Sequence, residues 1–162
     1  MEPVAVWELT LRGVAIGTLV ATCAGLWRSG LPAIRMAGVL LTVSAAAYVL
    51  NSSAPIREAL GPAAPFVHLF AFGGAGFFWL FIVTLFEDRP ISPLTLAPPA
   101  VLTLVGLAAW LARLQMSNPV WIGHNLFEAG LAVHALVVIA RSRRDDLVEA
   151  RRRLRGPVLA VV

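Results

Sequence analysis

The sequence predicts an all-α polytopic membrane helix bundle, with five transmembrane helices and the start of a sixth. Three observations predict it. Of the 162 residues, 59% are hydrophobic and only 14% charged, where soluble domains run at roughly 45–50% apolar and about 25% charged. The mean hydropathy is +0.81, more apolar surface than a core of this size can bury in water. The apolar residues also fall into runs of about the 20 residues that span a hydrocarbon core. The same composition excludes a disordered chain, which needs low hydrophobicity. Cys23 is the single cysteine, so no disulfide framework forms within the chain.

Taken in order, the first run is the shortest. Gly13 to Trp27 reaches spanning length only if the helix begins near Trp7 and takes in Glu8 and Arg12, which stand four residues apart and can pair on one helix face. A helix over about 7–27 is expected. It is not a cleavable signal peptide, because Met1-Glu2-Pro3 offers no positive start and no cleavage site precedes Arg28. The second helix, 31–50, is entered at Arg35. The third, 66–86, is bounded by Pro65 and by Glu87-Asp88-Arg89-Pro90, with His68 as its one ionisable residue. The fourth, 94–114, carries Pro98 and Pro99 in its first turns, where proline is tolerated, and ends at Arg113. The fifth spans 120–140. Residues 141–157 form a basic loop, and 158–162 start helix six after Gly156-Pro157. No internal repeat or linker appears, so 1–162 reads as a single transmembrane domain.

All thirteen basic residues are arginine. Seven of them, Arg141, Arg143, Arg144, Arg151, Arg152, Arg153 and Arg155, lie in one segment with Asp145, Asp146 and Glu149. That segment alone accounts for the net charge of +4. Cytoplasmic loops are enriched in basic residues, so 141–157 is expected inside a bacterial inner membrane, and alternation of crossings places the N-terminus, 51–64 and 115–119 outside. Asp146 to Glu149 has capping-box spacing, Glu149 and Arg153 are an i,i+4 pair, and a short helix over 147–155 is expected. Its arginines would face anionic lipid head groups. A loop tethered between membrane helices is badly placed for a DNA groove, so no nucleic acid is expected on this chain.

Within the helices, two patterns stand out. Gly13, Gly17, Ala21 and Gly25 repeat every four residues, a small-residue stripe on which another helix can pack closely. The expected partner is a helix of the same chain, with a homodimer as the alternative. Phe72-Gly-Gly-Ala-Gly-Phe-Phe-Trp79 mixes bulky and small residues; its glycines could soften the helix or admit a neighbour, and it has neither the strand nor the basic residue of a phosphate loop.

The fifth helix holds the most polar interior: His124, Asn125, Glu128 and His134. His124 and Glu128 are one turn apart and share a face, so they can interact. His134 lies about 280° further around the helix. An ionisable residue in a membrane segment is a functional hypothesis by default. The preferred reading is a satisfied polar contact within the bundle, ahead of ligand sensing. Haem or zinc would need His68 from the third helix or a second chain, and no Cys or carboxylate cluster completes a tetrahedral site, so neither metal nor cofactor is expected. No nucleophile–base–orienter set is recognisable, and no catalytic residue or enzymatic activity is expected.

The segment Asp145-Asp146-Leu147-Val148-Glu149-Ala150-Arg151-Arg152-Arg153-Leu154-Arg155 resembles the signature between helices five and six of a known family. These are bacterial AraC-type transcriptional regulators with an N-terminal membrane domain of about seven helices and a C-terminal helix-turn-helix domain. Arg35, then Tyr48 with Ser53 and Pro55, then Phe78-Trp79-Leu80-Phe81 with Leu85-Phe86 and Asp88, and finally His124 with His134 fit in order. The resemblance implies a chain truncated before the last two helices and the DNA-binding domain, with membrane anchoring and signal input as its role. The alternative from the residues is a stand-alone small membrane protein that binds a ligand or cofactor, as a transporter subunit or haem carrier does.

Overall fold

The computed structural model describes residues 3–27 and 31–142, and every regular element among them is helical. Seven α-helices follow in order: α1 Pro3–Trp27, α2 Pro32–Asn51, α3 Ala54–Leu60, α4 Ala64–Ala71, α5 Gly74–Phe86, α6 Pro93–Leu111 and α7 Pro119–Ser142. A 3-10 turn, Gly61–Ala63, joins α3 to α4. Four of these helices are long and apolar enough to cross a membrane, and the bent pair formed by 54–71 and α5 makes up to five. The chain is thus an all-helical bundle of membrane-spanning character. Its large apolar side chains face outward on every long helix, among them Val14, Val20, Met36, Leu104, Leu126 and Val133, which lipid solvates without cost.

Helix α5 is the centre. Trp79 to Phe86 are buried without interruption, because α2, α6 and α7 all pack around it. Ile34 and Ala37 of α2, Leu102 of α6, and Leu131, Ala135 and Val138 of α7 complete the core. Glycine sets how closely these helices approach. A Cβ on Gly76 would stand 2.5 Å from Pro99 Cα, so the backbones of α5 and α6 nearly touch. Helix α6 is started by a reciprocal cap: Thr95 N–H donates to Ser92 Oγ at 3.3 Å and Ser92 N–H to Thr95 Oγ1 at 2.9 Å. Because the cap fixes Pro93 as a first helical residue, Pro98 and Pro99 fall beyond the opening turn. They remove two ladder donors, and Pro99 lies against Gly76. The helix stops at Leu111, before the expected 114, where Arg113 turns to φ 53°.

Three expectations change in detail. The helix expected over 66–86 is broken at Phe72-Gly73 and bent by 40°. Gly73 sits where a Cβ would be 2.5 Å from Thr103 Oγ1, and Ser44 Oγ of α2 donates to the Phe70 carbonyl at 2.8 Å; a side chain bonding into the ladder beside glycines is a known cause of a kink. The 51–64 connection, expected only as an outside loop, is folded into α3 and the 3-10 turn. Pro55 in the first turn of α3 starts that helix, and Gly61, at φ 47°, ends it.

The third change concerns the small-residue stripe. Gly13, Gly17, Ala21 and Gly25 are exposed, and a Cβ on any of the three glycines meets nothing within 4 Å. The stripe therefore does not pack inside the described bundle, contrary to the intramolecular expectation. The reason is the neighbouring face of α1: Arg12, Ile16, Leu19, Cys23 and Leu26 recur at helical spacing, are half-buried or buried, and face α2. Arg12 anchors the α1–α2 contact by pairing with Glu8 at 2.9 Å and donating to the Val49 carbonyl and Ser52 Oγ. The basic segment from Arg143 to Arg155 and the start of helix six lie outside the described residues; Arg141 closes the last turn of α7 and is exposed.

Candidate ligand-binding site

At the end of the bundle where α2 runs into α3 and α6 turns into α7, a cavity of about 630 Å³ opens between the helices. Helices α2 and α3 contribute Tyr48, Asn51 and Arg57; α4 and the break contribute His68, Ala71 and Phe72. The opposite wall is Trp110 and Met116, then Trp121, His124, Asn125 and Glu128 of α7. Of the residues singled out in the sequence, His68, His124, Asn125 and Glu128 thus converge on one space, from helices 56 residues apart in sequence at the two histidines.

Each histidine is oriented by a backbone carbonyl. His68 Nδ1 lies 2.8 Å from the Ala64 carbonyl oxygen. A carbonyl only accepts, so Nδ1 carries the proton and Nε2 is the acceptor of the neutral ring. The ring stacks on Trp110, 4.2 Å between centroids at 25°. His124 is the reverse tautomer: Nε2 donates to the Leu102 carbonyl at 3.1 Å, leaving Nδ1 as the acceptor. That carbonyl belongs to the fully buried Leu102 of α6, one turn before Gly106, where a Cβ would press on Phe72 and stand 3.0 Å from His124 Nε2. Gly106 is the opening that lets the imidazole reach α6.

His124 Nδ1 is buried without a hydrogen-bond partner. Glu128 Oε2 is 3.9 Å from it, which is ion-pair range but too long for a hydrogen bond. The shared face read from the i,i+4 spacing is therefore present, whereas the pair is not closed on itself. Trp121 meets His124 edge-on, with centroids 5.5 Å apart at 74°, and Phe72 lies 5.6 Å from Trp121. Trp121 Nε1 donates to the Leu114 carbonyl at 3.2 Å, which fixes the indole against the α6–α7 turn. Arg57 donates to the Asn51 carbonyl on the opposite rim.

His134 does not join this site. It lies further along α7, exposed, and its Nδ1 accepts a hydrogen bond from Trp79 Nε1 at 2.9 Å. That contact ties α5 to α7. A second, apolar cavity of about 320 Å³ lies between α6 and α7, lined by Val101, Val105, Val120 and Phe127 and sharing His124 with the first. Among the described residues, no group of three His, Cys, Asp or Glu side chains is placed to hold a metal ion.

Tyr48, Asn51, Arg57, Phe72, Trp110 and Trp121 were not singled out as site residues by sequence. Trp110, Trp121 and Tyr48 carried a usable signal, since aromatic residues near the ends of apolar runs sit at the level of a membrane interface. Asn51 and Arg57 carried none beyond their position after α2. Comparison with protein-family models, with curated proteins and with solved structures gives no match to this chain.

Proposed function

We propose that this chain is the integral membrane sensor region of a bacterial transcriptional regulator of the AraC-type architecture it resembles, with the cavity around His124 as its input site. The observation that carries the input site is the buried His124 imidazole, fixed through Nε2 and unpartnered at Nδ1 on the wall of that cavity. An unmet buried acceptor costs about 1–3 kcal/mol, so a donor supplied from the cavity is favoured there. The regulator half of the reading is supported by the arginine-rich residues 145–155 and by the topology they imply. In that topology residues 141–157 are in the cytoplasm against anionic lipid, the N-terminus is outside, and the cavity opens on the outer side of the inner membrane. The chain itself contacts no DNA.

The test is a set of chromosomal substitutions in the native gene, read by transcript profiling. His124→Ala and Glu128→Gln are expected to change the same small set of transcripts, while His134→Ala leaves the wild-type pattern. If deletion of the gene leaves all transcripts unchanged, the regulator reading is wrong. The size of the cavity also favours a second reading, a stand-alone membrane protein that carries a ligand or a cofactor such as haem, since ligand sites typically occupy about 300–1,000 Å³. That reading predicts co-purification of the cargo, seen for haem as visible absorbance that is lost in His124→Ala and His68→Ala.

A further inference from the structure

The polar lining of the cavity is unbalanced between donors and acceptors. Asn51 Oδ1 and His124 Nδ1 are both buried and have no hydrogen-bond partner. The His68 tautomer fixed by the Ala64 carbonyl presents an acceptor at Nε2. The Glu128 carboxyl group, 33% exposed, is a fourth acceptor, and an anion when ionised. On the donor side, the Arg57 guanidinium, exposed at the rim, gives one of its five N–H groups to the Asn51 carbonyl, and the Trp121 indole N–H is spent on Leu114. The Tyr48 hydroxyl and the Asn125 amide can act in either sense. The buried atoms of the lining left without a partner, Asn51 Oδ1 and His124 Nδ1, are both acceptors, and buried polar groups are stable only when partnered.

The apolar part of the lining is aromatic. The rings of Phe72, Trp110 and Trp121 stand beside these acceptors, with Trp121 edge-on to His124. Aromatic faces attract cations, tryptophan most strongly, and more so where the site is desolvated.

We infer that the cavity binds a small organic ammonium ion, a primary or secondary amine with an aromatic or apolar body. Its N–H groups donate to His124 Nδ1 and the Glu128 carboxylate, its charge is balanced by Glu128, and its body lies against Phe72, Trp110 and Trp121. Two features discriminate. A quaternary ammonium supplies charge without N–H donors and leaves His124 Nδ1 unmet; an alcohol supplies a donor without the charge. The inference rests on the reading of this cavity as a ligand site and adds the ligand's chemistry to it.

The full chain, purified into nanodiscs, is titrated with phenethylamine and followed by quenching of tryptophan fluorescence, two of the five tryptophans being in the lining. Saturable quenching is expected. 2-Phenylethanol and N,N,N-trimethylphenethylammonium are expected to bind about tenfold more weakly or worse, the loss associated with one unmade charged hydrogen bond. 3-Phenylpropanoate is expected not to saturate. Glu128→Gln, which keeps the side chain's size, is expected to weaken phenethylamine by about tenfold, and His134→Ala, outside the cavity, to leave it unchanged. Equal affinity for the quaternary ion would overturn the role of His124 Nδ1. Tighter binding of the carboxylate would overturn the cation and assign recognition to Arg57, with the ligand site itself retained. No saturation by phenethylamine would overturn the inference outright. The transcript response to His124→Ala uses no amine, so it tests the sensor reading separately.

Discussion

Replacing Gly106 by alanine tests whether the close approach of α6 to His124 is real. The added Cβ would lie 2.7 Å from Phe72 Cγ, 2.8 Å from Phe72 Cβ and 3.0 Å from His124 Nε2. The Phe72 Cβ is next to the backbone at the α4–α5 break, so it cannot swing aside as the far end of a long side chain would. Overpacking of this kind costs about 1–3 kcal/mol. Gly123→Ala is the matched control, because Gly123 is also inside a helix, in the second turn of α7, is next to His124 in sequence, and its new Cβ meets nothing within 4 Å. Both substitutions gain the same helix propensity, about 0.5–1 kcal/mol, so that term cancels in the difference between them. The difference should therefore be the overpacking cost itself, about 1–3 kcal/mol. At about 2–4 °C per kcal/mol for a chain of this length, Gly106→Ala should melt several degrees below Gly123→Ala when both are heated in detergent and followed by fluorescence-detected size exclusion. It should also weaken any ligand that depends on His124, because the Nε2 bond to Leu102 is displaced. If Gly106→Ala melts at or above Gly123→Ala, the α6–His124 approach, and with it the geometry of the cavity wall, is refuted.

The outward stripe on α1 makes the opposite forecast: Gly13→Ala, Gly17→Ala and Gly25→Ala meet no atom, so each should raise the melting temperature slightly, by up to about 1 kcal/mol of helix propensity; a marked loss in any of them would mean that the face is covered. Trp79→Phe deletes the indole donor to His134 Nδ1 and should cost about 0.5–1.5 kcal/mol with no effect on transcript response or amine binding; an effect on either would place His134 in the site. Arg113→Gly relieves a non-glycine residue at φ 53° at the end of α6 and should stabilise by a few tenths to about 1 kcal/mol, checked in the same melting assay. Cysteine placed at position 58 in a Cys23→Ala background should be labelled by a membrane-impermeant maleimide from outside intact spheroplasts, and cysteine at position 88 should not; the reverse pattern would invert the proposed topology.

Most of the bundle was legible in the sequence because membrane crossing is a matter of length and apolarity. The runs beginning near Trp7, Leu31, Leu94 and Val120 each correspond to a helix within a few residues of the expected bounds. The one run misjudged as continuous, 66–86, fails at Phe72-Gly73. Hydropathy averages over that dipeptide, while the cause of the break is tertiary: Ser44 bonding to the Phe70 carbonyl and Thr103 standing where a Cβ on Gly73 would be. The glycine stripe failed for a related reason. Spacing identifies a face that permits close packing, but the bulkier face bearing Ile16, Leu19 and Leu26 is the one that α2 covers.

The same distinction governs the site. His124 and Glu128 could be placed on one face from their spacing alone, since both are on α7 and the helix period is fixed. That His68 shares their cavity could not, because the bend between α4 and α5 decides where the His68 ring points relative to the core. A straight helix from Pro65 to Phe86 would carry His68 in line with the buried face of α5. The bend separates the two halves, so that α4 packs against α2 and α6 while α5 packs against α2, α6 and α7. His68, Ala71 and Phe72 are thereby released from the central core to line the cavity with Trp110, and Phe72, at the hinge itself, is wedged between Gly106 and Trp121. The glycines that read as packing features in the sequence thus act through the break: they set the angle at which an apolar helix hands over its one histidine to the polar end of the bundle.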